Sequence, residues 1–255
     1  MRSSRRKAAS PPKQGIGDLT GPLLVSLLAG QEDEVESQLN EAARRGADTA
    51  VLARDLVEPV FKEIGEMWMR GEVTPAEEHL ATELISRCLT RRGAARQRPL
   101  PGAPRILLSC LAGEFHELGI RIAADIVQES GWIAESLGAN VPRTALVGLV
   151  AERLPRVVGL SVALPAHIPE CLKTIEAIKK IAPGIKVLVG GNAFRRDRAF
   201  EDLAGPDACL PDAIALRDWL VENRPRRAAL PRTKETCRRV AKSLHRRMAG
   251  AHSAR

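Results

Sequence analysis

The residue types able to do chemistry in this chain gather in a few short segments. Gly113-Glu114-Phe115-His116-Glu117-Leu118-Gly119 puts an imidazole two residues after a carboxylate and three before a glycine. An imidazole there can ligate a metal or act as a base. Glu114 can accept its other ring N–H, which fixes the tautomer and makes the free nitrogen more basic. Gly119 lets the backbone turn or lie close to a ligand. A second segment, GLSVALP from Gly159 to Pro165, carries Ser161, whose hydroxyl can bond a buried heteroatom. A third, Gly190-Gly191-Asn192, strips side chains from the backbone so that something flat can approach; a tight turn into the next helix is the plain alternative. Neither G-x-G-x-x-G nor G-x-x-x-x-G-K occurs, which disfavours a dinucleotide or phosphate loop. Upstream, Trp68 is followed by nine residues and then Glu78-His79. Taken singly, Trp68 reads as core, and Glu78 and His79 as a polar first turn helped by the helix dipole.

The elements that must carry these residues follow from hydrophobic rhythm. After residue 104, strand-length apolar runs at 105–110, 132–135, 157–162, 186–189 and 208–210 alternate with helical stretches at 118–130, 142–154, 168–181, 194–204 and 212–222. Five repeats of strand then helix imply a doubly wound parallel five-stranded sheet covered on both faces. In such sheets ligands bind beyond the carboxyl ends of the strands. The Glu114–His116, Ser161 and Gly190-Gly191 segments follow the first, third and fourth strands, so the topology brings them to one edge. Before residue 93 the pattern is helical, at 19–28, 32–45, 48–69 and 74–92. Thr20 or Asp18 is the expected cap of the first helix, Gly46 the stop of the second, and Pro59 a kink in the third. Thr74-Pro75-Ala76-Glu77 is a capping box opening the fourth. Four helices with short turns predict a small bundle. The domain reading is a basic tail (1–16), a bundle (17–92), a Pro/Gly-rich linker (93–104), a Rossmann-like (flavodoxin-like) α/β domain (105–222) and a basic tail (223–255).

Composition narrows the function. Of 255 residues, 44% are hydrophobic and 27% charged, enough for a packed core. Aromatics are 3% with no Tyr, which argues against a stacking platform for single-stranded nucleic acid. No apolar run reaches the roughly 18 residues of a membrane span, and no apolar stretch directly follows the basic start, so a secretory signal is not expected. Five cysteines without a C-x-x-C pair fit free thiols in a reducing cytoplasm. Charge is segregated. Residues 1–13 carry five Arg/Lys and no acid, and residues 224–255 carry eleven and one acid, so the intervening body holds 23 basic against 30 acidic residues. Basic ends can hold phosphates, anionic lipid or an acidic protein, or remain solvated. Cys237, Val240, Ala241, Leu244 and Met248 recur at helical spacing among arginines and lysines, predicting a short basic amphipathic helix.

Jointly, the motifs say more. Acidic-x-His-x-x-Gly at Glu114–Gly119, then Ser161-x-Ala163, then Gly190-Gly191 resembles the cobalamin (vitamin B12)-binding domain family over about residues 103–222. The resemblance implies that His116 replaces the nucleotide base as lower axial ligand of cobalt (base-off/His-on), that Glu114 orients it, and that Ser161 and the glycine pair line the slot for the displaced nucleotide tail. Phe115, Glu117, Leu118, Ala163 and Asn192 flank these positions and are expected at the cofactor. The family often has Asp where Glu114 stands. The W-x9-E-H spacing of Trp68, Glu78 and His79 resembles that of cobalamin-dependent photoreceptors that regulate genes. There the tryptophan packs over the adenosyl group on cobalt, and the Glu and His hold that upper ligand or its pocket. This implies adenosylcobalamin as cofactor, no enzymatic activity, and a light-driven shift of the bundle read out by a protein partner or a change of homo-oligomer. Direct DNA binding by the basic tail is the weaker expectation. The chain departs from those photoreceptors in two ways. Only about 15 residues precede the first helix, too few for their helix-turn-helix domain, and Met69 stands where some members have a cobalt-capturing His. The rival reading is a corrinoid methyl carrier of a methyltransferase system, in which Trp68, Glu78 and His79 have no evident role. A storage or delivery protein is a third.

Overall fold

A computed structural model of the chain describes residues 15–94, 99, 102–194 and 205–225. The N-terminal part is helical: α1 (Thr20–Leu28), α2 (Glu32–Arg44), α3 (Thr49–Leu52), α4 (Glu58–Met69) and α5 (Pro75–Ala94). α3 and α4 are one rod interrupted by a π-helical turn, Ala53–Val57. Pro59 has no N–H to give the preceding turn, and Glu58 N–H instead reaches back to Ala53 O. The expected kink at Pro59 is thus a widened turn just before it. The rods pack through Leu23, Leu27, Leu39, Leu56, Ile64 and Ile85, all fully buried.

Two further local expectations are corrected. Residue Leu19, not Thr20 or Asp18, precedes α1, and the Thr20 hydroxyl donates backwards to Gly17 O at 2.7 Å. A 3-10 turn, Gly17–Leu19, leads directly into the helix and supplies its first carbonyls, so no side-chain cap is needed. α5 continues through Gly93 and Ala94, where small residues signalled a linker. A Cβ on Gly93 would come within 2.6 Å of Asp125 Oδ1, so the glycine allows this helix end to press on its neighbour. The capping box of α5 forms as expected: Thr74 N–H donates to Glu77 Oε2 at 2.7 Å, and Glu77 N–H to Thr74 Oγ1 at 3.3 Å.

The C-terminal part is β1 (Arg105–Cys110), α6 (Leu118–Glu129), β2 (Ile133–Ser136), α7 (Arg143–Arg153), β3 (Val157–Ser161), α8 (Ile168–Ile181), β4 (Lys186–Gly190), β5 (Ala208–Leu210) and α9 (Ala213–Glu222). The strands are parallel in the order β2-β1-β3-β4-β5. α7 and α8 cover one face, through Leu146, Val150, Ile175 and Ile178. α6 and α9 cover the other, around Trp132, whose indole N–H donates to Leu220 O at 3.1 Å. Asn192–Phe194 forms a 3-10 turn; the rest of the helix expected at 194–204 lies outside the described residues, as do residues 1–14 and 226–255 of the basic tails, with the expected helix around 237–248.

The helical part leans on α6 and α9. Leu118, Ile122 and Ile214 pack against its core. Asp48 caps α3 by accepting from Val51 N–H at 2.8 Å, while its other oxygen accepts from Arg217 at 2.8 Å. Thr49 N–H donates to Glu129 at 3.1 Å. Among the described residues no helix is long and apolar enough to cross a membrane.

Candidate functional site

In strand order 2-1-3, the connections leaving β1 and β3 pass to opposite faces of the sheet, and a crevice opens between their carboxyl ends. Glu114 lies across this crevice. Its residue is fully buried, and both carboxylate oxygens are taken. Oε1 accepts from the His116 ring at Nδ1, 2.5 Å, and from His116 N–H, 3.1 Å. Oε2 accepts from Ala163 N–H at 2.8 Å, Leu164 N–H at 3.3 Å and the His167 ring at Nδ1, 2.9 Å. The first set comes from the loop after β1 and the second from the loop after β3, so one carboxylate ties the two loops together. Burial pushes its pKa up, but the His167 and His116 rings and the Ala163 and His116 amides more than reverse this and hold it down at about 2. Glu114 is therefore an anion at neutral pH. It fixes the Nδ1–H form of the His116 ring, leaving Nε2 as a lone-pair donor on a side chain that is 60% exposed. That is the electronic arrangement of a metal-ligating histidine with its orienting carboxylate.

The neighbouring positions divide into contacts made and contacts used up. Ser161 ends β3 beside Gly119, where an added Cβ would sit 3.8 Å from the serine hydroxyl. The Ser161 hydroxyl also meets the Cys110 thiol. Burial, with Glu114 and Glu117 nearby, pushes that thiol up to about 12, and the serine bond only partly offsets this, so Cys110 is an inert neutral thiol under the histidine loop. The glycine pair serves the protein's own backbone. Gly190 pairs with Ser161, and a Cβ there would lie 3.2 Å from Leu210 O. Gly191 has φ +109°, and its Cβ would fall 2.3 Å from Val162 O. These contacts match the plain reading of a tight turn into the next element and do not bear on the slot reading. Asn192 opens the 3-10 turn that follows. Phe115 is 68% exposed, Glu117 pairs with Arg121 at 2.5 Å, and Leu118 turns toward the helical core.

Trp68 lies near the end of α4, and Glu78 and His79 near the start of α5, on either side of the connecting turn. Trp68 is 53% exposed at the end of α4, so it is not the core residue its type suggests. Glu78 accepts from Thr82 at 2.9 Å and meets the His79 ring at 2.9 Å; that ring also bonds Pro75 O at 2.7 Å. The bonds of Glu78 and His79 stay within the first two turns of α5.

Sequence reasoning missed His167 and Asn140. His167 lies two residues beyond Pro165, outside the Ser161–Pro165 motif, and only the fold brings it to Glu114. Asn140 N–H donates to Glu114 O at 2.9 Å, and its side-chain oxygen accepts from Gly113 N–H at 2.9 Å. Nothing in its spacing announced this. Away from the crevice, Glu32, Glu36 and Cys88 come within 4.8 Å of one another, but the two carboxylates are spent on Arg87 and Arg91.

Comparison with known proteins bears on both halves. A family described as B12 binding domain matches residues 104–214, and a second family of the same description matches residues 22–92. Two repressors of Myxococcus xanthus are similar in sequence. HTH-type transcriptional repressor CarA is 34% identical over 172 residues, covering 67% of this chain and 57% of the relative. HTH-type transcriptional repressor CarH is 31% identical over 147 residues, 57% of this chain and 48% of the relative. The chain thus spans about half the length of these relatives. The solved structure of the Methanosarcina barkeri monomethylamine corrinoid protein superposes with a TM-score of 0.65 at 14% identity, over 80% of this chain and 98% of that one, a likeness of fold.

Proposed function

The chain belongs to the B12-binding family, and from that membership we propose that it is a cobalamin-binding light sensor with a regulatory output. The observation that carries the proposal is the His116 ring held at Nδ1 by a fully buried, ionised Glu114, with Nε2 directed to no partner in that network. His116 would hold the cobalt from the sheet side. Glu114 keeps the ring in the ligating tautomer, and His167 with the Ala163 and Leu164 amides keeps Glu114 charged. Trp68, Glu78 and His79 would supply the apolar surface and polar groups for the upper ligand, the role implied by their spacing. When bound, adenosylcobalamin supplies a cobalt–carbon bond that visible light breaks.

The response is assigned to the seating of the helical part. Its polar ties to the sheet domain include Asp48–Arg217 and Thr49–Glu129, on α6 and α9 rather than at the crevice. A change of volume at Trp68 can shift the helices about these ties, and the shifted population exposes or covers a surface for a protein partner or a second copy of the chain. The similarity to two repressors favours transcription as the regulated process.

The test is the protein loaded with adenosylcobalamin in the dark and then exposed to green light. A changed absorption spectrum together with a changed elution volume is expected. Light-insensitive assembly with methyl transfer to or from a partner would replace the proposal with a methyl carrier. Binding without response to either treatment would replace it with storage or delivery.

A further inference from the structure

The loop that follows β2 runs along the end of β1 and holds it by consecutive backbone bonds. Leu137 N–H donates to Leu108 O at 2.8 Å, Cys110 N–H to Gly138 O at 2.9 Å, and Val141 bridges Leu111. Between the last two, Asn140 adopts φ +52°. Among the described residues one other non-glycine residue has positive φ, Leu154, which closes α7. Asparagine is among the side chains that enter this region at least cost, and glycine enters it more cheaply still.

The choice of asparagine over glycine has a visible use. In this conformation the Asn140 N–H and Oδ1 reach adjacent residues of one turn, Glu114 O and Gly113 N–H, each at 2.9 Å. Glycine would keep the first bond and lose the second. Glu114 N–H is already spent on Leu111 O at 3.0 Å. The backbone from Gly113 to Glu114 is thereby held at three points, and the carboxylate it carries binds the His116 ring. A chain of bonds runs from Asn140 to the Glu114 backbone, to its carboxylate, to Nδ1 of His116.

We propose that Asn140 is the positioning residue of the histidine loop: its side-chain oxygen seats Glu114 so that the His116 ring is held in the Nδ1–H form. This deepens the cobalamin reading and rests on it only for the consequence in loaded protein. Asn140 is exposed, and glycine accepts its φ, so Asn140→Gly removes the acceptor while preserving the turn. Asn140→Asp preserves both the turn and the acceptor.

The experiment uses cofactor-free full-length protein with 15N-labelled histidine, at a pH where the rings are neutral. Nitrogen chemical shifts report the ratio of Nδ1–H to Nε2–H forms of the His116 ring. Asn140→Gly is expected to lower this ratio by up to about tenfold, the weight of one lost hydrogen bond, with a melting temperature lowered by no more than a few degrees, and Asn140→Asp to restore it. Loaded with cobalamin, Asn140→Gly should show a smaller fraction of the His-on spectrum. An unchanged ratio in Asn140→Gly, or an equal fall in Asn140→Asp, would overturn the proposal. If the unaltered protein binds no corrinoid, the light-sensor reading fails while the tautomer ratio still decides the role of Asn140.

Discussion

The two halves of the candidate site are built differently. On the sheet side, Glu114 is fully buried and accepts five hydrogen bonds from two loops and their histidines. On the helical side, Trp68 is 53% exposed, Met69 is 74% exposed and the His79 side chain is 81% exposed, with the Glu78 and His79 bonds confined to neighbouring residues of α5. The sheet side is organised before any ligand arrives; the helical side offers surface. If a corrinoid is held as proposed, from below by the fixed imidazole and from above by these exposed side chains, a change in its upper half moves the looser partner. On the proposed reading, affinity belongs to the sheet loops and response to the helices.

Predictions can break or sharpen that division. The largest effect is expected on the sheet side. His116→Ala should abolish the His-on absorption spectrum and lower corrinoid affinity more than any helical substitution, as read by titration. Glu114→Ala strands several buried donors, so it should lower affinity by roughly 10–100-fold and destabilise the cofactor-free protein by about 3 kcal/mol, as read by denaturant unfolding. If Trp68→Ala cost more affinity than either, the division would be inverted.

Acid should act on the same side. The Glu114 pKa is depressed from 4.5 to about 2, so its contribution to stability is fully present above pH 4.5 and is lost as pH falls toward 2. Glu114→Gln should flatten that part of the stability curve. A curve unchanged by the substitution would show that the clamp contributes little to folding.

Smaller effects belong to the helical side. Asp48→Ala removes the cap of α3 and the partner of Arg217, and should cost about 1 kcal/mol. It should also alter the light-induced change in elution volume while leaving the His-on spectrum intact. Trp68→Ala should move stability by less than about 0.5 kcal/mol, because the ring is half exposed. Its expected mark is weaker discrimination between adenosyl and methyl forms in paired titrations. Equal discrimination would remove Trp68 from the upper pocket.

Much of the framework was legible in the sequence because it follows local rules. Alternating strand-length and helix-length apolar runs specify a parallel sheet, since such strands are buried on both faces and need helices on each. The Glu114–His116 pair was legible because side chains two positions apart in a loop are within reach of each other. The widened turn before Pro59 was only half legible: proline marks a break, but whether the rod kinks or bulges depends on what it packs against. Gly190 and Gly191 were ambiguous because a missing side chain fits both a ligand and a neighbouring carbonyl, and only the fold shows that Leu210 O and Val162 O crowd these two positions.

The amino-acid order by itself determined which strands form, that the Glu114, Ser161 and glycine loops share an edge, and that an imidazole and a carboxylate stand within reach. The tertiary structure alone decided that Glu114 is buried and shared, that His167 and Asn140 hold it from segments 53 and 26 residues away in sequence, and that Trp68 lies half exposed. The physical reason is that hydrophobic period and turn chemistry are local, whereas burial of a charge and the donors that satisfy it depend on which distant loops the sheet order makes neighbours.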